Sequence, residues 1–190
     1  MRIENKKKVN SWMPAPKNSL WAGMTVFLIL LASFSFPVCA AEGGGLSSAI
    51  KRTGLPVPRF ASLRSDEVNM RSGPGPRYPV EWVYKRKSMP VEITAEFDTW
   101  RRIRDIQGTE GWVHQATLSG KRTVLVIGKT MQPVFRKNEP DSTLRGQAEP
   151  GVQGKAIRCD EQWCKVEMDG VKGYMKRESL WGVYPNEKID

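Results

Sequence analysis

Hydrophobic and polar positions alternate in short runs from residue 59 to the C-terminus. Residues 68–71, 91–94 and 100–103 each have a period of two, which predicts short strands. No stretch of this region keeps the period of an amphipathic helix over a useful length. Segments rich in Gly and Pro, such as residues 72–76, separate the runs and predict turns. The pattern therefore predicts an all-β fold of small sandwiches or barrels.

The same order of strands and turns occurs twice along the chain. Trp100 and Trp112 are twelve residues apart, and Trp163 and Tyr174 are eleven apart at matching places in the second half. We therefore predict two copies of one fold, at residues 59–128 and 129–190. Each copy is near the lower size limit for a single hydrophobic core, so packing of one on the other would stabilise both. The pattern leaves open whether they pack as one unit.

The N-terminal region has the pattern of an export signal. Three lysines at 6–8 and Lys17 precede an uncharged stretch of 24 residues, and small residues stand at 38 and 40. This predicts a secretory signal peptide over residues 1–40, followed by a flexible tether over 41–58 that is rich in Gly, Ser and Pro. The alternatives are an uncleaved membrane anchor and lipidation of Cys39. Export predicts a periplasmic or secreted protein, with membrane contact only if the segment is retained.

Part of the positive charge of the chain lies in this N-terminal segment. The formal net charge is +10, but residues 1–40 carry five basic and one acidic side chain, so the remainder carries +6. The first copy holds twelve basic and eight acidic side chains, which favours an anionic partner for that copy. Export argues against a nucleic-acid partner. The favoured interpretation of the basic clusters is a solvated face, and the alternative ligands are anionic lipid headgroups, acidic wall polymers or an acidic protein.

Four short motifs of the first copy resemble the bacterial SH3-like (SH3b) family. They are VNMRSGPG at 68–75, YPV at 78–80, W-x-x-I at 100–103 and GWV at 111–113. The second copy departs from this pattern in its first strand and in its degraded loop at 137–141, so its resemblance rests on Trp163 and on Gly173-Tyr174. The resemblance implies two tandem small barrels and a non-catalytic role, often in binding peptide stems or cross-bridges of the cell wall. Exported alphaproteobacterial proteins with paired copies look most similar.

The candidate ligand site is assigned to the first copy. A loop stiffened by proline, with aromatic and arginine neighbours, is able to form a groove for an acidic or extended ligand. The candidate ligand-binding residues are Asn69, Arg71, Tyr78, Trp82, Trp100 and Trp112. The alternative is structural: the tryptophans belong to the core, Gly73 and Gly75 supply special backbone angles, and Tyr78 packs the loop down.

Cysteine and histidine counts restrict the chemistry. Cys159 and Cys164 flank a possible two-residue hairpin loop, where opposed strand positions suit a disulfide, and export supplies an oxidising compartment. The single histidine, His114, has no partner nucleophile, because both cysteines beyond the signal segment are assigned to the disulfide. We therefore expect no catalytic residues, no metal site and no cofactor, and we treat the protein as a non-enzyme.

These inferences combine into two functional hypotheses. The first is an exported binding module for cell-wall peptide or anionic polymer. The second is a periplasmic or secreted adaptor that contacts other proteins, including host proteins. The sequence identifies neither the ligand nor the oligomeric state.

Overall fold

A computed structural model describes residues 53–190 of the chain. The expected signal peptide at 1–40 and most of the expected tether lie outside the described residues. Between residues 53 and 190 no helix is long and apolar enough to cross a membrane.

Residues 59–119 form the first barrel, a seven-stranded antiparallel sheet. Its strands are β1 Arg59–Leu63, β2 Val68–Arg71, β3 Val80–Tyr84, β4 Pro90–Phe97, β5 Trp100–Arg104, β6 Glu110–His114 and β7 Leu118–Ser119. Neighbouring strands follow the order β3-β2-β6-β5-β4-β1-β7. A 3₁₀ turn at Gln115–Thr117 connects the last two strands.

Residues 123–181 form the second barrel, a sheet of the same size. Its strands are β8 Thr123–Val126, β9 Gln132–Phe135, β10 Leu144–Ala148, β11 Gln153–Cys159, β12 Trp163–Met168, β13 Val171–Lys176 and β14 Leu180–Trp181. The order β10-β9-β13-β12-β11-β8-β14 repeats that of the first sheet strand for strand. A 3₁₀ turn at Arg177–Ser179 occupies the matching place. The predicted all-β fold with two tandem copies is confirmed.

Strand β8 marks the boundary between the two sheets. It pairs with β11 and β14, so Thr123–Val126 belongs to the second sheet, whereas the sequence pattern placed residues up to 128 with the first copy. All four of its side chains are buried, so its hydrophobic pattern does not alternate. Such a pattern does not indicate which strand β8 pairs with.

Each sheet closes around its own core. Leu63, Met70 and Ile103 are among the most buried side chains of the first barrel, and Val124, Val166 and Met175 of the second. Strand alternation places most apolar side chains inward and most charged side chains outward, and Arg101 is a buried exception.

A tight turn aligns β5 with β6. The Asp105 carboxylate accepts hydrogen bonds from the backbone N–H groups of Gln107 and Thr109 at 3.0 and 2.8 Å. Its other oxygen accepts from the Tyr84 hydroxyl at 3.0 Å. Gly108 in this turn has a φ of +84°, a backbone angle that glycine adopts without strain. Burial, followed by the neighbouring Asp105 charge, raises the pKa of Tyr84 well above its ordinary value.

The two barrels pack on each other through side chains that neither core contains. The Phe60 ring of β1 lies 5.0 Å from the Trp181 ring and 4.6 Å from the Tyr184 ring, measured between centroids. The Tyr184 hydroxyl donates to the buried Glu92 carboxylate at 2.6 Å, and Arg104 pairs with the other oxygen of Glu92. Phe60 is only 6% exposed, and the second barrel provides this cover.

Residues just before β1 are attached to the first barrel by Glu96. Its carboxylate accepts from the N–H and the hydroxyl of Thr53 at 2.9 and 2.6 Å and from Arg59 at 2.5 Å. Arg101, on the neighbouring strand, lies 3.4 Å away. Burial disfavours the charged form of Glu96, but the Thr53 and Arg59 hydrogen bonds outweigh it and lower the pKa to about 2.

We predict that loss of the interface aromatics uncouples the barrels. Phe60→Ala combined with Tyr184→Ala should lower the free energy of unfolding by about 3 kcal/mol, because a buried ring and a hydrogen bond to a carboxylate are lost together. Calorimetry should show one thermal transition for the wild type and two for the variant. Phe97→Ala is the matched control, since Phe97 is 41% exposed and its loss should cost little. A single transition in the double variant would contradict the prediction.

We also predict a pH-dependent contribution from Glu96. Because its folded pKa lies below its ordinary value of 4.5, its stabilisation is complete above that value and disappears as the pH falls towards 2. The Glu96→Gln variant should be less stable than the wild type by about 3 kcal/mol near pH 7. Urea unfolding at a series of pH values should show this difference shrinking on acidification. Glu81→Gln, at an exposed position, should show no such trend, and a constant difference for Glu96→Gln would refute the mechanism.

Candidate functional site

The first barrel presents an aromatic and cationic surface on strands β5, β6 and β2. Arg101 and Ile103 point into the barrel, so Trp100 and Arg102 point outward. On β6, Gly111 and Val113 are buried, and Trp112 and His114 are therefore outward. With Arg71 of β2, these four side chains form a surface that we call the outer face.

One row across the outer face places a tryptophan between two arginines on the neighbouring strands. Arg71 pairs directly with Trp112, and Trp112 pairs directly with Arg102 on its other side. Directly opposed residues in antiparallel strands have neighbouring side chains. Arg71 donates to the Tyr78 carbonyl at 2.7 Å, and Arg102 pairs with Glu110 at 2.5 Å. The row suits a ligand that combines flat or apolar groups with carboxylates.

The next row consists of aromatic groups and one imidazole. Trp100 pairs with Phe97 on β4 and with His114 on β6. The Trp100 and His114 rings meet edge to face, with centroids 5.6 Å apart. Nδ1 of His114 accepts a hydrogen bond from the Ala116 N–H at 3.3 Å and so caps the 3₁₀ turn. Among residues 53–190, no three His, Cys, Asp or Glu side chains are grouped as metal ligands.

Tyr78 lies in the loop between β2 and β3 and packs that loop down. Its ring covers Gly73 and Gly75, and a β-carbon at Gly73 would overlap the ring. Neither glycine has a positive φ, so the expectation that they supply special backbone angles is wrong. Their function in the fold is to leave room for the Tyr78 ring, which is itself 38% exposed.

The structure separates the remaining candidate residues. Asn69 is exposed and pairs with Val83, so it lies two residues from Arg71 on the same side of β2. Trp82 pairs with the buried Met70 and packs against the core, on the opposite side of the sheet. The pairing thus brings Arg71, Trp100 and Trp112 to one surface with Asn69 and leaves Trp82 out. Their role in binding stays a prediction.

The second barrel has the same surface in altered form. Phe135 of β9 pairs with Tyr174, and Tyr174 pairs with Lys165, whose Nζ lies 5.8 Å from the centre of the Tyr174 ring. The Phe135 ring meets Trp163 edge to face at 5.5 Å. Because Phe135 stands where the first barrel has Arg71, the aromatic groups close on each other and Trp163 is only 7% exposed.

A cross-strand link occupies the same position in both barrels. Cys159 and Cys164 are directly opposed, with Cα atoms 4.1 Å apart, and form a disulfide bond. This confirms the predicted pairing. The equivalent opposed residues in the first barrel are Glu96 and Arg101, which form the buried ion pair. Each link joins the two strands of a hairpin, and the second strand of that hairpin begins with Trp100 or Trp163.

Arg177 joins three segments beside the disulfide hairpin, a role that the sequence pattern does not indicate. Its guanidinium donates to the carbonyls of Asp160, Tyr184 and Glu187, the last at 2.6 Å. Its backbone N–H donates to the Gln162 carbonyl at 2.9 Å. Arg177 is buried, although the segment around it is polar. Apart from its match to the 3₁₀ turn of the first barrel, nothing in the sequence indicates that Arg177 is buried.

Comparison with known proteins identifies relatives that are longer than this chain. The chain is 25% identical over 128 residues to the putative N-acetylmuramoyl-L-alanine amidase YrvJ of Bacillus subtilis (strain 168). That match covers 62% of this chain and 24% of the amidase. The chain therefore spans about a quarter of the length of this relative.

Among solved structures, two Trichomonas vaginalis proteins are similar. NlpC2 has a TM-score of 0.30 and 12% identity, over 67% of this chain and 49% of that chain. NlpC1 has a TM-score of 0.29 and 14% identity, over 72% and 50%.

A family model described as "Bacterial SH3 domain" matches residues 64–120 and 128–182. Each matched region covers the second to the seventh strand of one sheet, and the two regions together cover more than half of the sequence. The chain belongs to the bacterial SH3 domain family and carries two tandem copies of the domain.

Proposed function

We propose that the protein is an exported, non-catalytic module that binds peptide or anionic polymer of the bacterial cell wall. The contact surface is the outer face of the first barrel, centred on Trp112. The observation that carries the proposal is the row Arg71–Trp112–Arg102, in which a half-buried tryptophan is paired with an arginine on each side.

The chemistry of this row fits short wall peptides. A half-buried indole supplies apolar contact area for a side chain or a sugar face at little entropic cost. Guanidinium groups form directed hydrogen bonds with carboxylates, which peptide stems carry. Within residues 53–190, the only acceptor that Arg71 contacts is the Tyr78 carbonyl, so its other donors remain available to a ligand.

Family membership supports a binding role over an enzymatic one. The family model covers both barrels, and the amidase relative shares only a quarter of its length with this chain. His114, the single histidine of the chain, is used in capping a turn and contacting Trp100. We propose that the chain contributes recognition and that hydrolysis is left to other proteins.

The proposed location is the periplasm or the cell exterior. The N-terminal pattern of residues 1–40 and the family of the two domains support export. The disulfide of the second barrel also fits an oxidising compartment.

A protein partner is the second candidate, favoured by the edge of the first sheet. Strand β3 stands at the end of the strand order, and Val80 and Val83 are 37% and 40% exposed on it. An open edge with apolar side chains is able to accept a strand from another protein. This adaptor would be sensitive to Val83→Lys and insensitive to changes at Arg71.

We predict that purified protein pellets with insoluble peptidoglycan and that the outer face is required. Arg71→Gln should reduce the bound fraction about fivefold, because a hydrogen-bonded charge contact is lost. Trp112→Ala should reduce it further through the loss of stacking area. The measurement is the bound fraction against peptidoglycan concentration, at low and at moderate salt.

Matched variants separate recognition from charge. Arg145→Gln removes an exposed arginine from the second barrel, and Tyr174→Ala truncates the equivalent of Trp112 there. Both should bind as the wild type does. Absence of pelleting at low salt would overturn the proposal, and pelleting that moderate salt abolishes would show electrostatic adsorption only.

A further inference from the structure

A shallow, two-lobed cleft that is open to solvent lies in the second barrel, on the side of the disulfide hairpin. The first lobe has a volume of about 350 Å³ and is lined by Asn138, Asp160, Glu161, Gln162, Trp163 and Lys188. The second lobe, of about 550 Å³, shares Glu161, Gln162 and Trp163 and continues to Pro140 and Asn186. Each lobe has the volume of a small-ligand site and is open to solvent.

The walls of this cleft are held in place before any ligand arrives. The disulfide fixes the base of the hairpin that carries Glu161 and Gln162. Arg177 ties this hairpin to the C-terminal segment through the Asp160 and Glu187 carbonyls. Cys159 and Ile189 exchange two backbone hydrogen bonds, at 2.9 and 3.2 Å. A site with fixed walls loses little entropy on binding, which favours recognition of a small ligand.

Two opposite charges in the first lobe have no partner among residues 53–190. Glu161 and Lys188 both line the lobe, yet neither forms an ion pair there, with each other or with another side chain. By contrast, Asp160 is paired with Arg158, and Lys176 with Glu178. The amides of Asn138 and Gln162 add donors and acceptors that suit peptide groups.

We propose that this cleft is a second binding site, for a short peptide that carries both a free ammonium and a free carboxylate. Glu161 accepts the ammonium, Lys188 binds the carboxylate, and Trp163 forms the floor between them. The complementarity is one of charge sign, since a ligand with both groups satisfies both walls of the lobe. This site is separate from the outer face and does not require that surface to bind the wall.

The test uses ¹⁵N-labelled protein and three alanine tripeptides. The first has free ends, the second an acetylated N-terminus and the third an amidated C-terminus. The free peptide should shift the backbone amide signals of Glu161, Gln162 and Lys188 in a saturable way. Each blocked peptide should bind about three- to tenfold more weakly, because one charge contact is lost.

Variants assign each charge to one end of the peptide. Glu161→Gln should bind the free and acetylated peptides equally, and Lys188→Gln should bind the free and amidated peptides equally. Glu149→Gln and Lys155→Gln are matched controls at exposed positions outside the cleft lining and should leave the tripeptide preferences unchanged.

Three outcomes would overturn this assignment. They are no saturable shift at about 10 mM tripeptide, equal affinity for free and blocked peptides, and shifts confined to the Trp112 surface of the first barrel. Shifts confined to that surface would support the outer face as a binding site and exclude the cleft. Conversely, failure of the peptidoglycan assay together with end-dependent tripeptide binding would remove the outer face and retain the cleft.

Discussion

Burial of Phe60 between the barrels is the contact on which the arrangement of the molecule depends. Each barrel has a small core of its own, and Phe60 belongs to neither. Its ring is covered by Trp181 and Tyr184, which come from the end of the second barrel. Tyr184 also reaches Glu92, so an apolar contact and a buried carboxylate are satisfied by the same segment. For domains near the lower limit of size, such shared burial adds stability that neither obtains alone.

The two copies keep one architecture but use different chemistry at equivalent positions. The hairpin before each tryptophan is linked by Glu96 and Arg101 in the first barrel and by a disulfide in the second. A buried ion pair depends on its hydrogen bonds and on pH, whereas a disulfide depends on an oxidising compartment. On the surface, Arg71 is replaced by Phe135, which closes the aromatic group and buries Trp163. The first barrel therefore offers an exposed face, and the second a cleft beside its hairpin.

Register explains how a row of three side chains from distant parts of the sequence becomes one surface. Arg71, Trp112 and Arg102 lie on three neighbouring strands and face outward because the residues beside them face the core. The regular pairing of β2 with β3 puts Trp82 opposite Met70 on the core side, and the bulge that follows puts Val80 opposite Arg71. A shift of one residue in this pairing would exchange the two sides of the strand, so the core specifies the surface as well as the interior.

The sequence alone determined the strand pattern, the repeat and the disulfide, because each depends on contacts between residues close along the chain. Alternation with a period of two, turn residues at Gln107-Gly108 and the spacing of Cys159 and Cys164 are all local signals. Tertiary structure alone decided that β8 joins the second sheet, that Gly73 makes room for Tyr78 and that Arg177 ties the hairpin to the C-terminal segment. These features depend on which surfaces meet after folding. The pattern of a polar or uniformly apolar segment does not predict which residues that segment contacts.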